Sequence, residues 1–180
     1  MESMNPMALM GQLCGFVALV MCVLAFANKN DDKLMTLLIS ANVAFMLQFV
    51  FLSSWTAAVL TALVIVRIAL ARRFPGSLKV MAGVLGASAV AAILTWQSPV
   101  DTFAVLAAAL GTPAMFLLKG VMLRVFLGLA AFCWMMNNLL IGSIGGTLAE
   151  ALVVVTNVIT IVRLIRAQRR YPGAAEELER

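Results

Sequence analysis

Within the segment WMMNNLLIGSIGGTLAE (residues 134–150), an otherwise apolar stretch carries adjacent amides at Asn137 and Asn138 and a carboxylate at Glu150. Such groups can contact a polar solute or a proton, or they can hold helices together. An acid in a membrane span costs roughly 2.5–3.5 kcal/mol at the helix centre and less near the interface, so something must offset it. Thr147 to Glu150 fits a T-x-x-E capping box, which would place the acid at the positive end of a helix dipole. A structural cap and a solute or proton contact are both open readings of Glu150. Asn137 and Asn138 face a similar choice between interhelical bonding and lining a solute path.

Other residues join this set by position. Asn157 falls about ten residues into the last span, roughly 15 Å down and near the bilayer centre. Trp134 is expected at a comparable or slightly higher level. Arg67 has two readings: it snorkels towards the inner interface, where Arg72 and Arg73 follow, or it faces the inner half of a path and favours anionic or strongly polar solutes. Gly111-Thr112-Pro113 interrupts a short span, making Pro113 a candidate hinge or a passive kink. Gly11-x-x-x-Gly15 and Ala107-x-x-x-Gly111 are small-residue faces for close helix packing.

The elements that position these groups follow from composition. Of 180 residues, 63% are hydrophobic and 12% charged, and the mean hydropathy is +1.04, far from the balance of a soluble domain. Continuous apolar runs without period-2 alternation predict an all-α membrane protein. The breaks NKNDDK, SSW, RRFPGSLK, QSPVDT, LLKG and GSIGG give seven transmembrane helices over about 6–27, 33–52, 55–73, 78–96, 101–118, 121–142 and 146–166. The N-terminus has no positive charge before its apolar run, so the first span is expected to stay in the mature protein. In GSIGG, Gly145 and Gly146 are expected to take φ > 0 before a helix beginning at Thr147.

Positive charge sets the expected orientation. With the N-terminus outside and the tail 167–180 cytoplasmic, Lys29, Lys33, Arg72, Arg73, Lys79, Lys119 and Arg124 all fall inside, while SSW, QSPVDT and GSIGG carry no Lys or Arg. This placement explains the net charge of +5 and leaves no case for nucleic acid. The lipid bilayer is the evident partner and a small polar solute the expected one. Nothing in the sequence supports a homo-oligomer, which stays open.

Laying FMLQFVFLSSWTAAVLTAL from Phe45 over WMMNNLLIGSIGGTLAEAL from Trp134 pairs Phe45 with Trp134, Gln48 with Asn137, Leu52 with Ile141, Ser54 with Ser143 and Thr61 with Glu150. The expected organisation is therefore a single membrane domain built 3+1+3: a first three-helix repeat over 6–73, a linker helix over 78–96 and a second repeat over 101–166. The odd linker makes the repeats parallel, as in the SWEETs. Gln48 with Thr61 then form the first-unit counterpart of the layer made by Asn137 and Glu150.

LLKG (117–120), FCWMMNNLLIGSIGGTLAE (132–150) and Asn157 to Arg163, with Gly11, Gln12, Gly15 and Arg67 in the first half, resemble the YgjV family of bacterial inner-membrane proteins. The resemblance implies an inner-membrane location and a small helical fold similar to SWEET and PQ-loop transporters. In SWEETs, asparagines on the third helix of each unit and aromatics on the second hold the solute. Here Asn157 and Trp134 match in the second unit, Phe45 matches Trp134, and Ile68 stands where Asn157 has its counterpart. There is no Pro-Gln pair.

Enzyme signatures are missing: there is no histidine, no metal-ligand cluster, and GSIGG is not a G-x-S-x-G elbow. Cys14, Cys22 and Cys133 lie in apolar runs and are expected to be inert thiols. The expected function is a SWEET-like carrier or facilitator of a small polar solute, with no cofactor. Entry is expected near Asn137, Asn138 and Glu150, and binding near Trp134 and Asn157. The alternative is a non-transporting membrane scaffold or accessory subunit.

Overall fold

The computed structural model describes residues 5–27 and 31–170. Lys29 and most of the expected tail, 171–180, lie outside the described residues. Seven helices follow one another: α1 (Pro6–Ala27), α2 (Asp31–Phe51), α3 (Trp55–Arg73), α4 (Leu78–Thr95), α5 (Asp101–Leu117), α6 (Gly120–Leu140) and α7 (Ile144–Arg170). Five of them, α1, α3, α4, α6 and α7, are long and apolar enough to cross a membrane. The apolar parts of α2, Thr36–Phe51, and α5, Asp101–Leu117, are shorter.

The side-chain distribution is that of a lipid-facing bundle. Large apolar residues such as Val20, Leu24, Ile93, Leu94 and Val158 are exposed, while the interior is rich in alanine: Ala18, Ala25, Ala41, Ala57, Ala104, Ala107 and Ala149. Lipid gives apolar side chains no reason to turn inward, so small residues fill the interfaces and let backbones come together. Six helices form a ring in the order α1, α2, α3, α5, α6, α7 and back to α1. The fourth helix packs on α3 and α5 from outside, and buries Val84, Ser88 and Ala92.

Two turns, α2–α3 and α6–α7, share one geometry. At the first, Ser53 takes φ 57°, and at the second Gly142 takes φ 77°. Each closes its helix with the same paired bonds: Ser53 N–H to Val50 O and Ser54 N–H to Phe49 O, then Gly142 N–H to Leu139 O and Ser143 N–H to Asn138 O. These are Schellman closures, in which the left-handed residue lets its own amide and the next one reach back to the last turn. Glycine accommodates that conformation freely and serine does not.

The α7 start differs from expectation. Ser143 caps it by accepting Gly146 N–H on its hydroxyl at 3.1 Å, so the helix begins at Ile144 rather than near Thr147. Gly142 is the left-handed residue, and Gly145 and Gly146 are helical. Their lack of side chains serves proximity instead. A β-carbon on Gly145 would stand 2.5 Å from both Gly15 C and Phe16 N, so α1 and α7 meet backbone to backbone.

Candidate functional site

At the end of the ring marked by these turns, α2 and α6 reach each other through side chains. Gln48 Nε2 donates to Asn138 Oδ1 at 2.7 Å, and Asn138 Nδ2 donates to Trp134 O at 3.0 Å. Beside them the rings of Phe49 and Trp134 stack with centroids 5.7 Å apart and planes 26° apart. Gln48, Asn137 and Asn138 are all 0% exposed. Gly15 makes room for Gln48, and Gly146 for Asn138, because a β-carbon at either would collide with the amide oxygen. Gln48 and Asn138 thus meet in a closed, buried amide layer, with Asn137 next in the chain and without the expected Glu150.

Its hydrogen bonding is incomplete. Gln48 Oε1 and both amide atoms of Asn137 have no partner among the described residues. Each buried polar group left in that state costs roughly 1–3 kcal/mol. Phe45, the aromatic expected to match Trp134, is buried in the adjoining apolar cluster, whereas Phe49 makes the stack.

Gln12 is a residue that sequence reasoning placed in the family resemblance without giving it a role. Its Nε2 donates to Gly142 O at 2.6 Å and its Oε1 accepts Ile144 N–H at 3.0 Å, clamping the α6–α7 turn to α1. At the other turn, Gln97 Oε1 accepts Trp55 N–H at 2.9 Å. Asp101 in turn orders that segment by accepting Gln97 N–H and Ser98 N–H at 2.7 and 3.0 Å. The signal available in sequence was a glutamine level with a helix start; only the fold shows which start.

Glu150 is not part of a capping box. Ser143 already caps α7, and Thr147 Oγ1 donates back to Ser143 O at 2.6 Å. That leaves Glu150 inside the helix, half-buried, with no hydrogen bond or ion pair among the described residues. Its carboxylate lies within electrostatic reach of Cys22 on α1, so it faces the α1–α7 interface rather than the helix end.

Arg67 does not snorkel. It is 7% exposed, because Gly111 on α5 has no side chain and the guanidinium occupies that space: a β-carbon at Gly111 would stand 2.7 Å from Nη1. Nη1 donates to Thr112 Oγ1 at 3.4 Å, and Nε has no partner among the described residues. Gly111 and Thr112 thus form part of the bed of a buried cation. Pro113 follows directly and α5 runs on through it to Leu117; Thr112 Oγ1 donates to Ala108 O at 2.7 Å one turn back.

Asn157 is 6% exposed and packs on α6 at Gly128, whose β-carbon would lie 3.5 Å from Asn157 Cβ. Its Nδ2 donates to Val153 O at 2.9 Å, while Oδ1 has no partner among the described residues. Gly128 lies six residues from Trp134 on α6, roughly 9 Å along the axis, so Trp134 and Asn157 are not level as expected. The structure brings together Gln48, Phe49, Trp134 and Asn138; it leaves Glu150, Arg67 and Asn157 at separate interfaces. No group of three or more Cys, Asp or Glu residues capable of holding a metal occurs among the described residues.

The arrangement holds these polar groups out of lipid contact, some bonded to one another and some with unpartnered atoms among the described residues. Comparison with known proteins agrees on the setting. The chain is 26% identical over 161 residues to the inner membrane protein YgjV of Escherichia coli (strain K12), covering 89% of this chain and 87% of that protein. No solved structure matches. The family model described as a bacterial inner membrane protein matches residues 9–168, and the chain therefore belongs to the YgjV family of multi-pass bacterial inner-membrane proteins.

Proposed function

We propose that the protein is a carrier or facilitator for a small polar solute. In this reading all seven helices cross the membrane, with the N-terminus outside and the C-terminus cytoplasmic. Two related three-helix units, α1–α3 and α5–α7, are joined by α4. The 89-residue offset between matching bonds at the two turns supports that relation. So does the ring order, in which α1 meets α7 and α5 meets α3, contacts that exchange when the units are exchanged.

The observation that carries the function is the set of unpartnered amide atoms in this layer, Gln48 Oε1 and both atoms of Asn137 among the described residues. Gln48 and Asn137 occupy matching positions, and Gln48 bonds Asn138 across the ring. Exchange of the units turns that contact into Asn137 opposite Phe49, and a phenyl ring supplies no conventional hydrogen-bonding group. Asn137 is thereby left with donor and acceptor both unused. A static scaffold gains nothing from such a group, since an apolar residue of similar volume would fit at lower cost. A carrier gains a group that is satisfied when the layer parts and solute enters.

The closed layer is then the outer gate of an outward-closed state, with solute passing between it and Asn157. Passage down a gradient requires no nucleotide or redox cofactor. The test is exchange of labelled sugars, amino acids and organic anions by purified protein in liposomes, beside Asn137→Ala and Asn157→Ala. Saturable exchange lost in both folded variants supports the reading. No exchange of any solute class by folded protein returns the polar groups to a purely structural role, as in a scaffold.

A further inference from the structure

We infer that Arg67 is the anion-recognising residue of the solute site, so that the solute carries a carboxylate or phosphate oxyanion; this rests on the carrier reading above. Three observations carry it. First, Arg67 is 7% exposed, and its hydrogen bonding among the described residues is the single bond from Nη1 to Thr112 Oγ1 at 3.4 Å. Its Nε has no partner, and no acidic side chain among the described residues pairs with it. A buried guanidinium is ordinarily matched by an anion, because its planar fork is wasted and its charge uncompensated otherwise.

Second, the bed is built for the group. Gly111 leaves the volume that the guanidinium fills, and any side chain there would displace it. Thr112 anchors one nitrogen and leaves the rest of the fork unengaged. Third, α3 ends little more than one turn beyond Arg67 in exposed Arg72 and Arg73, and exposed Lys79 and Arg124 begin the neighbouring helices. Gly76 N–H donates to Phe116 O at 2.9 Å and ties these ends together. Anions are concentrated at such a positive rim.

Arg67 lies twelve residues along α3 and Glu150 six along α7, about 18 and 9 Å from matching helix starts. They are on different interfaces, α3–α5 and α1–α7, so Glu150 does not supply the missing counter-charge. An external oxyanion does.

The experiment uses full-length protein, Arg67→Lys and Arg67→Met. Two readouts are taken: exchange in liposomes of mono- and dicarboxylates, inorganic phosphate and neutral sugars, and the thermal shift of detergent-purified protein titrated with succinate or phosphate. The expected result is saturable exchange of carboxylates or of phosphate, which separates those two sources. Exchange should fall at least about tenfold in kcat/KM with Arg67→Lys, which keeps charge but loses the fork, and vanish in a folded Arg67→Met. Exchange of sugars alone, or anion exchange unchanged in Arg67→Met, overturns the inference and leaves the carrier standing. If nothing is exchanged the carrier reading fails. Anion recognition then stands on a saturable stabilisation present in wild type and absent in Arg67→Met, and falls if that is missing.

Discussion

Gly145→Ala tests the packing of α1 against α7 beside the α6–α7 turn. The added β-carbon would lie 2.5 Å from Gly15 C and Phe16 N, where ordinary contact begins at 3.4 Å. Both clashing atoms are backbone within α1, so no side-chain rotation relieves them, and α1 and α7 must separate by roughly 1 Å. Overpacking of this kind costs about 1–3 kcal/mol. At 2–4 °C per kcal/mol for a chain of this length, the melting temperature should fall by about 2–12 °C. The assay is thermal unfolding of purified protein in detergent, with Gly83→Ala as control, since a β-carbon at Gly83 in α4 meets nothing within 4 Å. The control should hold or gain stability, because alanine favours helix by roughly 0.8–1 kcal/mol over glycine. A Gly145→Ala protein as stable as wild type, or one that loses no more than Gly83→Ala, would refute the close-packing argument.

Three further outcomes follow from named contacts. Gln12→Ala removes both bonds to the α6–α7 turn and should cost about 1–3 kcal/mol. Gln97→Ala, which removes one, should cost less when the two are compared by denaturant unfolding. A double-mutant cycle on Phe49→Ala and Trp134→Ala should give a coupling of about 0.5–1.5 kcal/mol for the stacked pair; zero coupling would mean the rings do not meet. Arg67→Met should be at least as thermally stable as wild type, because an unpaired buried charge is replaced by an apolar chain. A large loss would reveal a structural ion pair.

Much of the architecture was legible because lipid imposes continuous apolar helices and charged or small-residue breaks. The start of α3 at Trp55 and its end at Arg73 agree with the expected 55–73, since SSW and RRFPG punctuate it unambiguously. The start of α7 was misplaced because T-x-x-E competes with Ser143 as a cap, and a sequence does not reveal which hydroxyl finds Gly146 N–H. The two glycines looked like turn residues when their use is contact with α1.

Arg67 stayed between two readings for a different reason. Snorkelling depends on what lies beside the side chain, and Gly111, forty-four positions away in sequence, supplies a bed that no local pattern announces. Matching Gln48 to Asn137 paired two residues that are both buried, without identifying the bond that Gln48 makes. In the proposed two-unit reading, matching residues occupy equivalent places, whereas the bond across the ring joins Gln48 to Asn138, which do not match. Burial of Asn137 and Asn138 was legible as polarity in an apolar run; closure was not.

The central claim is that this closed amide layer is a gate that parts for solute. Its most direct test is thiol accessibility at Asn137→Cys, after replacing Cys14, Cys22 and Cys133, using a membrane-impermeant reagent applied from outside to sealed vesicles. The account predicts slow labelling at a position buried in the closed state, with a rate that changes saturably when a transported solute is added. A position that never labels, or one whose rate ignores every solute exchanged by the protein, would contradict it.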